Sequence, residues 1–325
     1  GGVISILESQ SNNFLRLLSN LVLTRLLFPE AFGMMAIVQV FISGLTMFSD
    51  IGIKTSIIQN PRGDEPDFLN SAWTLQILRG VGLWLGGCAL ALPAAALYDE
   101  PMLKQLLPVA ALISVIQGLQ PTKAHTANRH LMLGRVSALS LAAQVLGVLI
   151  MIAMAWALES VWALVFGGLV SAALRVAFQS AFLPGIRNRL MLDRASVGEI
   201  VSFGKYIFLS TIAAFLINQS DRAILGAFLP MAVLGVYTIG WFIAIVPMTV
   251  SKVLSNRVIF PLYRMRHPAD DIQNRRKMFA VRRGVVAGAI AVSSVLAFGG
   301  TQLVDFLYDP RYALAGPVVV LMSLS

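Results

Sequence analysis

A chain of 325 residues that is 57% hydrophobic and only 13% charged, with a mean hydropathy of +0.76, lies far from soluble domains, which carry about 25% charged residues. The net charge of +9 does not signal nucleic-acid binding, because the cations flank apolar stretches and form no single patch. A bilayer span takes about 20 predominantly apolar residues, so these values predict an all-α, polytopic membrane protein.

In chain order, spans are expected near 3–27, 31–53, 70–97, 102–123, 134–157, 160–184, 200–228, 231–255 and 282–307, with a tenth beginning near Tyr312. No initiator Met is present and 315–325 is too short to cross, so the chain is expected to be a piece of a longer protein. The first span is too long and too polar for a cleaved signal peptide. Its polar residues Ser9, Asn13, Arg16, Asn20 and Thr24 recur at spacings of four, three, four and four, which places them on one face of a helix. Arg16 sits near the middle, where a cation costs about 3 kcal/mol on insertion scales. It either pairs with a buried acid to orient helices or forms a cavity wall built to meet an anion.

A tight turn follows, punctuated by Pro29 and Gly33, and the second span ends at Asp50-Ile51-Gly52. The loop 59–70 is polar and water-facing. The third span opens on Trp73, an interfacial anchor, and carries Arg79, which either lines a polar cavity or snorkels to the surface. Cys88 is the single cysteine, so no disulfide or thiolate metal site forms within the chain. Pro108 and Pro121 bracket the fourth span and are expected to bend it. His125 and His130, five apart, do not stack on a helix face and have no carboxylate companion in the sequence, so they read as solvated or headgroup-facing histidines and not as metal ligands.

The polar stretch 186–201 is the best linker. It divides the chain into an N-terminal six-helix lobe, 1–185, and an incomplete C-terminal lobe, 186–325. The seventh span repeats features of the first, with Thr211, Asn218, Asp221 and Arg222 on a shared face. Gly235-Val236-Tyr237 then opens the eighth span as Gly33-Met34-Met35 opens the second. Two six-helix halves are a common transporter plan. The stretch 252–283 is the most basic, and 270–283 reads as an interfacial helix.

Charge placement sets the expected topology. The intervals 51–72, 122–135, 186–205 and 252–283 carry nearly all loop cations, and the alternate loops hold only Lys104 and Arg311. By the positive-inside rule the basic intervals and the N-terminus are cytoplasmic.

No nucleophile–base pair, phosphate-cradling glycine loop, metal cluster or ATP site is visible, so no cofactor is expected and driving energy comes from gradients or substrate removal. Outward loops are short, which weighs against a membrane glycosyltransferase, polymerase or ligase. A multidrug or cation antiporter would prefer buried carboxylates, and only Asp50, Asp221 and Asp305 lie near spans. A non-transporting scaffold is a further alternative.

The run Thr24-Arg25-Leu26-Leu27-Phe28-Pro29-Glu30-Ala31-Phe32-Gly33, followed by Asp50-Ile51-Gly52, resembles the opening of Wzx-type lipid-linked oligosaccharide flippases of the MOP exporter superfamily. Ala72 to Arg79, Asn218 to Gly226, Leu234 to Tyr237 and Pro261 look like the same branch. The resemblance implies twelve to fourteen helices in two lobes around a central cavity with alternating access. It also implies movement of an undecaprenyl-pyrophosphate-linked glycan across the bacterial cytoplasmic membrane, with arginines engaging the pyrophosphate. The matching positions are Arg16 and Arg222. With their neighbours they give the expected substrate-binding set Asn13, Arg16, Asn20, Arg79, Asn218, Asp221 and Arg222. The implied partners are the lipid-linked glycan, the surrounding lipids, a coupling ion and a glycan polymerase. Arg25 is read as a structural ion pair with Glu30.

Overall fold

The computed structural model describes residues 15–130, 132–255 and 272–324, apart from the side chains of 133 and 203–210. Every described element is helical. The helices are α1 (15–26), α2 (Pro29–Phe48), α3 (Ile53–Gln59), α4 (Pro66–Leu97), α5 (Leu103–Gly118), α6 (Lys123–Arg129), α7 (Leu133–Leu158), α8 (Trp162–Phe182), α9 (Arg194–Phe228), α10 (Met231–Ala244), α11 (Val246–Leu254), α12 (Ile272–Leu307) and α13 (Ala315–Ser323). The protein is a multi-pass, all-α membrane protein.

Helices occupy the described part of each expected span, but six of those described are long and apolar enough to cross a bilayer, or seven if α5 and α6 form one broken span. The break between α5 and α6 bends by 58° beside Pro121, whose ring cannot continue a helix. Pro108, in contrast, sits inside an unbroken α5. The long α9 carries the polar residues around Asn218 to Arg222 and is not among those six spans. No separate interfacial helix precedes α12 from Ile272 onward: the basic residues Arg275 to Arg283 are its first turns. The remainder of that basic stretch, 256–271, lies outside the described residues.

Three of the four basic intervals interlock at one end of the bundle, termed here the basic end. Buried side chains at the start of α4 hold the linker in extended form: Arg189 N–H donates to Asn70 Oδ1, Met191 N–H to Thr74 Oγ1 and Asp193 N–H to Ser71 Oγ, all at 2.9 Å. Every second linker amide is thereby satisfied, as an extended strand requires. Arg129 donates to the carbonyls of Ile57, Ile58 and Asn60 at the end of α3, where helix carbonyls lack partners, and pairs with Asp64 at 3.0 Å. Two sequence expectations change here. His125 is buried, 8% exposed, within an α6 that packs on α3, α7 and α8, and His130 lies 2.9 Å from Asp64 of the 60–65 loop. Gly52, at φ 66°, receives the Asp50 carboxylate on its amide, so a left-handed residue starts α3 where a side chain would be strained.

Around Ile200 at the start of α9, an apolar cluster of Ile53, Ile57, Phe68, Leu69 and Ala72 anchors that helix to the first third of the chain. Beside it Arg62 bridges Glu65 at 2.7 Å and Glu199 at 3.0 Å, and Asn60 donates to Glu199 at 2.7 Å. Hydrogen bonds from Asn60, then Arg62, hold the Glu199 carboxyl below its ordinary range. Those from the Ser196 hydroxyl and amide do the same for Asp193, the N-cap of α9.

At the opposite end the two glycines singled out by the sequence meet. Gly33 and Gly235 each occupy the fifth helical position after a turn containing Pro29 or Pro230. A Cβ on Gly33 would overlap the Met231 carbonyl and come within 3.1 Å of Gly235 N; one on Gly235 would overlap the Pro29 carbonyl and come within 3.0 Å of Gly33 N. The contact is reciprocal, as a pseudo-twofold relation between α2 and α10 requires, and it is backbone against backbone. Tyr98 Oη donating to the Ala223 carbonyl and Tyr312 Oη donating to the Leu27 carbonyl close the same end. Arg25 and Glu30 form no ion pair here: both are exposed, and the Arg25 carbonyl accepts from Arg311, which itself pairs with Asp309.

Candidate functional site

The polar stripe of α1 runs from an exposed Arg16 through a half-buried Asn20 to a fully buried Thr24. Asn13 lies outside the described residues. The Arg16 guanidinium stands 5.0 Å from the centre of the Phe242 ring on α10. On the neighbouring α9, Arg222 is 7% exposed and its guanidinium lies 4.0 Å from the centre of the Trp241 ring. Consecutive residues of a helix point in different directions, so Trp241 and Phe242 set α10 between the two arginine-bearing helices. Arg222 is close enough to feel the Asp221 carboxylate and, more weakly, the Arg16 charge.

Neither arginine forms an ion pair among the described residues. Asp221, adjacent to Arg222 in sequence, makes no ion pair with it but lies near enough to attract it. Its Oδ2 accepts a 2.8 Å hydrogen bond from Tyr237 Oη, and Tyr237 lies one turn from Trp241 on the same face of α10. Arg222 Nε, Asp221 Oδ1 and Gln219 Oε1 are buried without a hydrogen-bond partner. Buried unpaired polar atoms are rare and each asks for a reason. A guanidinium lying on an indole face is attracted by the ring quadrupole. It still presents its N–H edge in the ring plane, where the fork matches a phosphate or carboxylate bidentately.

The remaining expected residues separate from this pair. Asn218 is exposed and donates to the Ala214 carbonyl of its own helix at 2.6 Å. Arg79 donates to Ser49 Oγ at 3.0 Å and to the Thr46 carbonyl at 2.6 Å, so it caps the end of α2, where a cation is favoured by the helix dipole. The aromatic partners Tyr237 and Trp241 were absent from the sequence-derived set. Their i, i+4 spacing beside a polar-striped helix was the available signal. Among the described residues no group of three or more His, Cys, Asp or Glu side chains gathers to hold a metal.

Comparison with known proteins bears on these features. Residues 22–314 match the family described as polysaccharide biosynthesis protein. The succinoglycan biosynthesis transport protein ExoT of Rhizobium meliloti (strain 1021) is 24% identical over 333 aligned residues, covering 99% of this chain and 64% of that protein. The chain thus spans less than two thirds of the relative's length. No solved structure matches.

Proposed function

The chain belongs to the polysaccharide biosynthesis protein family, and from that premise we propose that it is part of a transporter that flips a lipid-linked glycan across the bacterial cytoplasmic membrane by alternating access. The carrying observation is the Arg222 guanidinium, lying over Trp241, forming no ion pair among the described residues and leaving its Nε without a hydrogen-bond partner, with Arg16 facing the same region. A lipid pyrophosphate brings at least two negative charges. Two arginines on different helices bind it bidentately, and the anion cancels their mutual repulsion. That is the differential affinity a ligand needs to shift a conformational equilibrium. Transport by the relative ExoT, as its name states, fits this reading.

In this proposal 1–185 and 186–325 form two lobes, α1 and α9 open them, and the basic end with the N-terminus is cytoplasmic. The Gly33–Gly235 crossing supports the lobe symmetry. The basic intervals that interlock in the structure support a common side for their loops. Asp221 supports ion coupling: Asp221 Oδ1 and Gln219 Oε1 are acceptors that a proton or small cation would satisfy.

The test uses the full-length protein in liposomes with a fluorescent undecaprenyl-pyrophosphate-linked glycan, together with spin labels on the two lobes. Glycan flipping is expected to be lost in Arg16→Ala/Arg222→Ala, and the glycan-induced shift in inter-lobe distance with it, while melting temperature stays near wild type. Flipping at the wild-type rate by the double variant sinks the two-arginine reading.

A further inference from the structure

A cavity whose lining includes neither Arg16 nor Arg222 lies between α2, α5 and α8. Its volume is about 380 Å³, within the range of small-molecule sites. Its polar lining is Gln39, Ser43 and Thr46 of α2 and Gln117 of α5. Apolar side chains, including Met35, Ile113 and Leu169, form the remaining wall, and no charged side chain lines it. Gln39, Ser43 and Thr46 follow at i, i+4 and i+7, one face of α2. Gln39 lies midway along a membrane-crossing helix and is exposed, as is Gln117. An amide with free donors and acceptors is costly against lipid chains, so this stripe faces polar content. Gln39 Nε2 donates to Ser43 Oγ at 2.8 Å, which orients the amide and leaves its oxygen and second N–H for a ligand.

We propose that this cavity is a saccharide subsite: it holds part of the glycan while the arginines hold the pyrophosphate. This rests on the flippase reading and adds to it where the sugar is read. The chemistry is selective. Sugar hydroxyls both donate and accept, as do neutral amides and hydroxyls, and the C–H faces of a pyranose suit Met, Ile and Leu. A pyrophosphate would meet no cation in this lining, and Arg79 beside Thr46 is bonded to Ser49 Oγ and the Thr46 carbonyl. A lipid tail would leave the Gln39 and Gln117 amides with unmet donors and acceptors.

The experiment measures calorimetric binding of three probes to the full-length protein: undecaprenyl pyrophosphate, the same lipid carrying a hexose disaccharide, and the free disaccharide. Gln39→Leu/Gln117→Leu keeps side-chain size and removes both amides. It is expected to weaken the glycosylated probe about tenfold, as two neutral hydrogen bonds allow, and to leave the bare lipid unchanged. Arg16→Ala/Arg222→Ala is expected to weaken both lipid probes alike and leave the free disaccharide unchanged. As a readout independent of the double variant, Gln39→Cys in a Cys88→Ala background is expected to be protected from a small maleimide by the glycosylated probe and by the free disaccharide, and not by the bare lipid. Equal affinity of wild type for the two lipid probes, or protection of the cysteine by the bare lipid, overturns the subsite. Failure of the bare lipid to bind wild type overturns the pyrophosphate reading, and the free disaccharide still decides the subsite.

Discussion

Replacing Gly33 by Ala in α2 tests the helix crossing directly. In a helix interior exposed to lipid, Gly→Ala is expected to stabilise by about 0.5–1 kcal/mol, because Ala loses less backbone freedom on folding. At this crossing the added methyl would overlap the Met231 carbonyl oxygen and lie 2.8 Å from its carbon, against 3.4–4 Å for ordinary contact. The obstacle is backbone, with no flexible side chain to move aside, so α2 and α10 must separate until the methyl clears the Met231 carbonyl oxygen, the closer of the two atoms. Overpacking of this kind costs about 1–3 kcal/mol, which exceeds the propensity gain. Gly33→Ala is therefore expected to lower the melting temperature of the detergent-solubilised full-length protein. Gly235→Ala should do the same, and the double variant should lose less than the sum, because one separation relieves both contacts. Gly82→Ala is the control: a Cβ there meets nothing within 4 Å, and stability should hold or rise. If Gly33→Ala raises the melting temperature as Gly82→Ala does, the close crossing is wrong.

Four further outcomes are expected. Arg222→Lys keeps the charge and loses the fork, so glycan transport in full-length protein should fall about tenfold while Arg222→Ala falls further; equal rates for Lys and Arg would leave only a charge requirement. Cysteines placed at Arg189 and at Asp99 should label from opposite membrane faces, Arg189 from the cytoplasm; the reverse pattern would overturn the orientation, and labelling of both from one face would refute the alternation of loops. Asn70→Ala together with Ser71→Ala removes two anchors of the linker, so protease cleavage within 186–193 should speed up, and unchanged cleavage would deny the strap. The depressed Asp193 and Glu199 carboxyls contribute stability above their unfolded values near pH 4 and lose it as pH falls through their lower folded values. Acidification below about pH 4 should therefore expose the start of α9 to protease, and Glu199→Gln should blunt that dependence, whereas identical acid profiles would remove Glu199 from the contact.

The all-helical, membrane-spanning class was legible from hydropathy, because lipid leaves a spanning helix no backbone partner but itself. The stripes on α1 and α9 were legible because helical spacing alone puts Arg16 with Asn20 and Asn218 with Arg222. Local signals also marked Gly33 and Gly235, as glycines after proline turns. Pairing was not legible. That Gly33 abuts Gly235, that Arg222 lies on Trp241, and that Asp221 turns to Tyr237 are contacts between helices, and one helix's periodicity carries no information about its neighbour's register. The same limit explains the misread residues. Arg79 read equally as a cavity cation or a snorkelling one, and only the placement of α4 beside α2 shows it on the Ser49 hydroxyl and the Thr46 carbonyl. His125 looked solvated until α6 was packed against α3, α7 and α8. The Gln39–Ser43–Thr46 stripe was present in the sequence all along, but only the placement of α5 and α8 beside α2 makes it the wall of a cavity.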